Sequence, residues 1–341
     1  MKKITILILI FILIGSSVVI AINFFSPNSA ILSPLSKETP RPTPLTAYTF
    51  ENLKQINFQK SPITLGTKIG EKENSVSQMF FFSVPEKVSG LINVPKKSGT
   101  YPIVVMFRGF APQENYFSGI GTQPSAEVFV NAEFITLAPD FLGFGESASA
   151  SGEAFENRFQ TYTTSLSLLS SLQTLNDALE ASYSGSVKAD LSKIGIWGHS
   201  NGGQIALTTL EISGVNYPTV LWAPVTKSFP YSVLYYTDEA DDQGKILRRL
   251  LAEFEKDYDT EKYSLTNYLS WIKAPIEIHQ GTVDEEVPVW WSDEFVSNLK
   301  KENVDVKYFT YPGADHNLRP NGWNPAVSES LNFYKTKFEK L

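Results

Sequence analysis

The sequence predicts an α/β protein whose mostly parallel sheet is covered by helices on both faces. Three observations lead to this fold class. Short β-prone segments alternate with segments of helical spacing through most of the chain. The motif Gly-His-Ser-Asn-Gly at 198–202 joins a strand to a helix. A loop with an aspartate and then a loop with a histidine each follow a later strand.

The individual elements follow in order along residues 47–341, which we assign to one domain. Strands are predicted at 78–84, 87–94, 103–108 and 134–138, separated by Pro and Gly turns. Helical spacing at 161–183 precedes the strand at 193–197 and the helix that begins near 204. Strands at 219–222, 275–279 and 306–311 then alternate with helices at 289–300 and 325–338. This alternation favours parallel strands with helical crossovers.

Residues 224–270 do not fit the simple alternation. Their aromatic residues and the charged, helix-like run at 244–258 suggest a helical cap inserted over the strand edge. An ordinary connecting helix with long loops is the alternative.

The turn at 198–202 has the residues of a nucleophile elbow. Glycines two positions either side of Ser200 let strand and helix approach closely, and the serine is held in a strained backbone conformation. The same geometry puts the Asn201 amide at a helix N-terminus, where it can stabilise a developing oxyanion. The motif therefore predicts Ser200 as a nucleophile and Asn201 as an oxyanion donor.

The groups that activate a serine are expected at the ends of later strands. The loop at 281–288 contains Asp284, and the loop at 312–317 contains His316. The order Ser200, Asp284, His316 is the order that this architecture requires. A neutral imidazole accepts the serine proton, and a carboxylate fixes the imidazole tautomer. We predict His316 as the general base and Asp284 as its partner, with Glu285 and Glu286 as alternative acids.

A second oxyanion donor is expected in the turn after an earlier strand. Residues 106–111 occupy that position, and the Phe110 amide is the predicted donor. The competing interpretation is that this turn only lets the strand exit.

The remaining histidines and one aspartate are not predicted to be catalytic. His199 adjoins the nucleophile with its side chain directed away from the substrate, so a structural role is expected. His279 lies in a predicted strand and is expected to be a hydrogen-bonded core histidine. Asp315 is too close to His316 in sequence to orient its ring and is expected to solvate the loop.

Composition excludes several function classes. The net charge of −7 disfavours a nucleic-acid partner. The absence of cysteine excludes disulfides, thiolate metal sites and a cysteine nucleophile, and three histidines make a histidine-rich metal site improbable.

The N-terminal region predicts export or anchoring. Residues 1–25 place two lysines before an uncharged apolar run of about 33 Å if helical, enough to span a membrane. We expect an uncleaved membrane anchor with the catalytic domain on the extracytoplasmic side; a cleaved signal peptide and secretion are the alternative. Residues 26–46 are rich in Pro, Ser and Thr and predict an extended linker.

From about residue 78 to the C-terminus, the chain resembles the α/β-hydrolase superfamily, most nearly the catalytic domain of the prolyl oligopeptidase family. The resemblance rests on five segments: 90–95 before 101–105, the Pro-Asp to Gly-Glu-Ser loop at 139–147, Gly-His-Ser-Asn-Gly-Gly at 198–203, Gly-Thr-Val-Asp at 281–284 before Val-Pro at 287–288, and Gly-Ala-Asp-His at 313–316. It implies Ser200 as nucleophile, Asp284 as acid and His316 as base, with no metal or organic cofactor. Arg108 stands where many relatives have a histidine, and no propeller domain fits before residue 78.

The resemblance makes a serine-type peptidase acting through an acyl-enzyme the first expectation. A carboxylesterase or acyl-transfer enzyme with the same triad remains open, its pocket made apolar by Tyr231, Tyr235 and Tyr236. A non-catalytic surface binding module is the third possibility. The oligomeric state is left open.

Overall fold

Nine β-strands form a single sheet in the computed structural model, which describes residues 42–237 and 241–340. They are β1 (Thr64–Glu71), β2 (Ser75–Ser83), β3 (Lys87–Pro95), β4 (Gly99–Phe107), β5 (Ile135–Pro139), β6 (Val187–His199), β7 (Thr219–Trp222), β8 (Ile276–Gly281) and β9 (Val306–Tyr311). Their order across the sheet is β1-β2-β3-β5-β4-β6-β7-β8-β9.

The sheet is mostly parallel. Neighbours from β5 through β4 to β9 pair in parallel, and β1, β2 and β3 extend the sheet as antiparallel strands. Parallel pairing brings the C-terminal ends of β4, β6, β7, β8 and β9 to one edge, where Phe107 pairs with Gly198 and Gly281 pairs with Tyr311. The fold thus places the loops that follow these strands side by side.

Nine α-helices accompany the strands in the described part of the chain. They are α1 (Phe50–Gln55), α2 (Gln123–Asn131), α3 (Ala154–Ser171), α4 (Leu175–Tyr183), α5 (Asn201–Ser213), α6 (Tyr231–Leu234), α7 (Lys245–Asp257), α8 (Val289–Lys301) and α9 (Trp323–Phe338).

Alternation along β4 shows why helices cover both faces. Ile103, Val105 and Phe107 join the larger apolar core, which also receives α3, α4, α5 and α8. Val104 and Met106 point to the other face and join a second core with α2 and α9. Side chains of a strand alternate between faces, so a strand apolar at every position needs a helical layer on each side. The predicted fold class is confirmed.

The described residues of 224–270 form α6, α7 and 3₁₀ segments at Thr260–Tyr263, Leu265–Asn267 and Leu269–Trp271. Whether they act as a cap or as a connection stays a prediction. Leu251 and Phe254 of α7 are buried in the larger core, where Phe254 packs against Phe155 and Tyr263. This part of the insertion is therefore seated on the domain by its aromatic residues.

The predicted N-terminal anchor at 1–25 lies outside the described residues, as does most of the predicted linker at 26–46. Pro44–Tyr48 forms a 3₁₀ segment with Leu45 buried, so the packed chain begins slightly before residue 47. Within residues 42–237 and 241–340, no helix has both the length and the apolar character needed to span a membrane.

Candidate active site

Ser200 lies at a sharp turn between β6 and α5. Its backbone has φ 55° and ψ −124°, a region that non-glycine residues rarely adopt. The Ser200 amide donates to the Trp222 carbonyl of β7, and its own carbonyl accepts from the amides of Gly203 and Val225. These bonds hold the strained residue at the C-terminal edge of the sheet, as in a nucleophile elbow.

Gly202 shows why this turn needs glycine. A Cβ there would lie 2.0 Å from the Phe107 carbonyl oxygen and 2.6 Å from the Arg108 carbonyl oxygen. These are backbone atoms and have no side-chain freedom with which to move aside. The first turn of α5 can therefore press against the end of β4 only because residue 202 has no side chain.

Asp284 and His316 are brought together at the ends of β8 and β9. The His316 Nδ1 lies 2.9 Å from Asp284 Oδ2 and 3.1 Å from Oδ1. The carboxylate also accepts from the amides of Glu286 and Val287 and from the side-chain amide of Gln280. The Asp284 side chain is fully buried, and these three donors fix its position and direct it at the imidazole.

Gly281 allows the acid loop to approach the histidine loop. A Cβ on Gly281 would lie 2.3 Å from the Ala314 carbonyl oxygen and 2.4 Å from that of Asp315. The Val283 amide donates to the same Ala314 carbonyl, which joins the two loops through their backbones. The close pairing of Asp284 with His316 therefore depends on the missing side chain at residue 281.

His199 ties the nucleophile turn to the histidine loop. Its Nε2 donates to the His316 carbonyl at 3.0 Å, and the two imidazole rings lie 4.7 Å apart. Burial, and then the neighbouring His316 ring, lower the pKa of His199 to about 4. A neutral His199 with its proton on Nε2 is the form that makes this bond, which agrees with the expected structural role.

Arg108 organises the predicted oxyanion turn. Its Nη1 donates to the Gly109 carbonyl at 2.9 Å and its Nη2 to the Asp140 carbonyl at 3.2 Å. The guanidinium also lies 4.2 Å from the ring centroid of Phe144 and 4.9 Å from that of Tyr116. The side chain is buried, so the turn is clamped from inside the protein.

The clamp fixes the peptide unit that carries the predicted donor. In a trans peptide the Gly109 carbonyl and the Phe110 amide point in opposite directions. Holding the carbonyl at Arg108 therefore turns the Phe110 amide away from Arg108. No acceptor within residues 42–237 and 241–340 takes the amide of Phe110 or of Asn201.

Two cavities adjoin Asn201. One, of about 140 Å³, is lined by the oxyanion turn, the loop after β5 and α3, and includes Arg108, Phe110 and Phe144. The other, of about 220 Å³, is lined by α3 and the start of α5, and includes Asn157, Arg158 and Tyr162. Tyr231, Tyr235 and Tyr236, which the sequence suggested for the pocket, pack around Trp291 and do not line either of these two cavities.

The other predicted residues have clear positions. Glu285 and Glu286 are exposed, and Asp284 rather than either of them contacts His316. Asp315 Oδ1 accepts from the amides of Asn317 and Arg319, so it shapes the loop and does not merely solvate it.

His279 is the hydrogen-bonded core histidine that the sequence predicts. Its ring contacts Tyr311 Oη at 2.7 Å and Glu277 Oε1 at 3.1 Å, and burial lowers its pKa. In the described part of the chain, no group of three or more His, Asp or Glu side chains is arranged to hold a metal ion.

Sequence reasoning missed three structural features around the candidate site. The clamp by Arg108, the tie from His199 to the His316 carbonyl, and the position of Arg158 in a cavity beside Asn201 all depend on contacts between distant segments. The Arg-Gly-Phe turn after a buried strand was the one local signal that could have indicated a role for Arg108.

The sheet, the strained serine turn and the Asp-His pair define the α/β-hydrolase class. The model of the prolyl oligopeptidase family matches residues 124–341. The chain belongs to this family and is a serine hydrolase. No curated protein matches the chain in sequence.

Solved structures agree with the fold. Acetyl xylan esterase 1 from Thermoanaerobacterium sp. JW/SL YS485 is similar at 16% identity and a TM-score of 0.57, covering 86% of this chain and 95% of that one. An acetyl xylan esterase from Paenibacillus sp. R4 is similar at 17% identity and a TM-score of 0.59, covering 84% of this chain and 92% of that one. A puromycin-hydrolyzing peptidase of Mycobacterium tuberculosis gives 16% and 0.51, covering 82% of this chain but 39% of the peptidase. At these identities the likeness concerns the fold.

Proposed function

We propose that the protein cleaves acyl bonds through an acyl-enzyme formed on Ser200. The observation that carries this proposal is the pairing of His316 with the buried Asp284 on the same sheet edge as the strained Ser200 turn. Asp284 accepts from His316 Nδ1 and thereby leaves Nε2 as the basic nitrogen. The His199 bond to the His316 backbone keeps the histidine loop beside the serine.

The reaction would proceed in two halves. In acylation, His316 Nε2 takes the Ser200 proton while Oγ bonds to the substrate carbonyl carbon, and the carbonyl oxygen becomes an oxyanion. The amides of Asn201 and Phe110 would donate to that oxygen. His316 then gives its proton to the leaving group as the carbonyl re-forms. Water repeats the sequence to release the acid and restore Ser200.

A peptide is the proposed scissile group, because the chain belongs to a family of peptidases. An amide nitrogen leaves only when it is protonated, and His316 held by Asp284 is placed to supply that proton.

An ester of a small acyl group is the second candidate. One observation favours it: the chain spans 95% and 92% of two acetyl xylan esterases but 39% of the peptidase structure. The two cavities beside Asn201 are also small, at about 140 and 220 Å³, which suits a small acyl group.

Labelling by a fluorophosphonate tests the nucleophile. The full-length wild type should be labelled stoichiometrically, and Ser200→Ala should not be labelled. Ser213→Ala is the matched control, because Ser213 ends the same helix and its hydroxyl contacts only nearby backbone, the Thr209 carbonyl and the Val215 amide. Absence of labelling in a folded wild type would overturn the proposal and support a binding module.

Matched substrates then separate the two candidates. An aminoacyl coumarin amide and the corresponding coumarin ester differ only in the leaving atom. Rates for the amide within about a hundredfold of the ester would support the peptidase. Turnover of the ester alone would support the esterase.

We also propose that residues 1–25 anchor the enzyme on the extracytoplasmic face of a membrane, with secretion after cleavage as the alternative. The support is the uncharged apolar run behind Lys2 and Lys3. Fractionation of cells that express the full chain tests this. Recovery in the membrane fraction, with the domain digested by protease added outside, is the expected result. Recovery as a shortened protein in the medium would indicate cleavage.

A further inference from the structure

One face of α3 lines the approach to the nucleophile turn. Ala154, Asn157, Arg158, Thr161 and Tyr162 recur at the i, i+3, i+4, i+7 and i+8 spacing of a single helix face. Together with Asn201 and Ile205 of α5 they enclose the cavity of about 220 Å³. The neighbouring cavity shares Asn157, Thr161, Asn201 and Ile205, so the two cavities adjoin the predicted oxyanion donor from the same side.

Arg158 is held in this cavity by hydrogen bonds to buried side chains. Its Nη2 donates to Gln204 Oε1 at 2.6 Å, and Gln204 Nε2 donates to the Tyr162 hydroxyl at 3.3 Å. Gln204 and Tyr162 are both buried, so both ends of the Gln204 amide are fixed. The guanidinium is therefore preorganised and is not a freely rotating surface group.

The charge of Arg158 is not neutralised within residues 42–237 and 241–340. Its Nε is buried without a hydrogen-bond partner, and no carboxylate lines either cavity. The acidic residues nearest on the same helix are engaged elsewhere: Glu156 accepts from Tyr48 and Ser151, and Glu153 caps the start of α3. A buried donor of a charged group without an acceptor is costly and usually indicates a missing partner.

Arg108, the other cation on this side, also has a buried Nε without a hydrogen-bond partner, but its two terminal nitrogens are both engaged with the protein. Its guanidinium donates to two backbone carbonyls and lies against two aromatic rings. The field of both arginines nevertheless acts on the same space, so the cavities are positive in a protein of net charge −7. A carboxylate fits this environment because it presents two acceptor oxygens to a planar guanidinium.

We propose that Arg158 is a specificity-determining residue that binds a carboxylate of the substrate. This inference rests on the proposed function, and it defines the substrate class as acyl compounds with a free carboxylate near the scissile carbonyl. The carboxylate can belong to an acidic amino acid or to the half-ester of a dicarboxylic acid. Both present the same chemistry to Arg158.

Matched pairs of substrates test the proposal in the full-length enzyme. The coumarin monoester of glutaric acid is compared with its methyl-blocked diester, and N-acetylglutamyl coumarin amide with N-acetylglutaminyl coumarin amide. The wild type should prefer the carboxylate member of at least one pair by roughly 10- to 100-fold in kcat/KM, the effect of a hydrogen-bonded charge pair. Preference confined to the ester pair or to the amide pair identifies the source of the carboxylate.

Three variants assign the preference to Arg158. Arg158→Gln should bring the ratio of kcat/KM values close to one, mainly through KM for the carboxylate substrate. Arg158→Lys should restore part of the ratio, because it keeps the charge without the planar fork. Arg249→Gln removes the same charge from the exposed face of α7 and should leave the ratio as in wild type.

Two results would overturn the inference: a wild type that turns over both members of each pair equally, or a ratio that survives Arg158→Gln. Saturation-transfer NMR can measure the binding of monomethyl glutarate to Ser200→Ala. This binding test distinguishes an error about the carboxylate site from an error about the Ser200 nucleophile. Binding that is lost in Ser200→Ala/Arg158→Gln would support the carboxylate site even if fluorophosphonate labelling failed. Labelling with no such binding and no preference would leave the nucleophile in place and exclude the site.

Discussion

Replacement of Arg108 by methionine tests how the oxyanion turn is held. Methionine keeps much of the apolar volume but removes the donors to the carbonyls of Gly109 and Asp140. Two carbonyls would lose charged donors at about 1–3 kcal/mol each, and contacts with the rings of Phe144 and Tyr116 add about 1 kcal/mol. We expect the free energy of unfolding to fall by roughly 3–7 kcal/mol.

The catalytic effect has an upper bound. Removal of an oxyanion donor costs about 10²- to 10³-fold in kcat. In Arg108→Met the Phe110 amide remains but its peptide unit is no longer clamped, so the loss of kcat should be smaller, about 10- to 100-fold. KM should change little, because the guanidinium is engaged with backbone carbonyls and not available to substrate.

Steady-state kinetics on a coumarin ester and thermal unfolding measure both effects. Arg108→Lys is the control: it keeps the charge between the rings but cannot bridge two carbonyls as a fork, so its kcat should be intermediate. A folded Arg108→Met enzyme with wild-type kcat would refute the clamp. A rise in KM alone would instead show that Arg108 contacts substrate.

Three further substitutions test the packing around the site. In the wild type, the folded-state pKa of His199 is depressed to about 4, so protonation at lower pH favours the unfolded chain. The free energy of unfolding of His199→Gln should therefore fall less than that of the wild type as pH drops from about 6.5 to 4. Melting measured across this pH range should show a difference of at most about 3 kcal/mol. Burial raises the pKa of Glu211, whose carboxylate oxygens have no partner in the described chain. The free energy of unfolding of the wild type should therefore decline above pH 4.5, and Glu211→Gln should reduce that decline in urea titrations. The same dependence of unfolding free energy on pH in both proteins would contradict this. Gly281→Ala should lower kcat at least tenfold, since its methyl would meet the Ala314 carbonyl and separate Asp284 from His316, and wild-type kinetics would contradict the close approach.

Most of the sheet and the order of the site residues could be predicted from the sequence. Strands such as β5 and β7 are buried on both faces, so all their residues except Thr136 and Thr219 are apolar and the pattern is clear. The Ser200 turn was predictable for a different reason. Its glycines are required where a Cβ would meet nearby backbone, so the requirement is visible in a short sequence motif.

Other elements gave no such signal. The sequence did not predict β1, because it is an edge strand whose side chains are mostly exposed and polar. The helix α2 was also missed; it is a short element with modest apolar periodicity. These segments take their structure from packing against other elements, and such tertiary contacts leave no pattern in the local sequence.

Some contacts of the candidate site had a signal in the sequence and others had none. The pairing of Asp284 with His316 followed from the order of the loops, because parallel strands bring their C-terminal ends together. The contact of Arg158 with Gln204 spans 46 positions, and that of His199 with His316 spans 117. No periodicity or motif within one segment could indicate either contact.

The bond from His199 to the His316 backbone has a consequence for motion. It links the residue before the proposed nucleophile directly to the segment that carries the proposed base, and the Ala314 carbonyl links that segment to the loop of Asp284. The three groups thus belong to one mechanically coupled unit. A displacement of any one of these segments would have to carry the other two with it or break one of these hydrogen bonds.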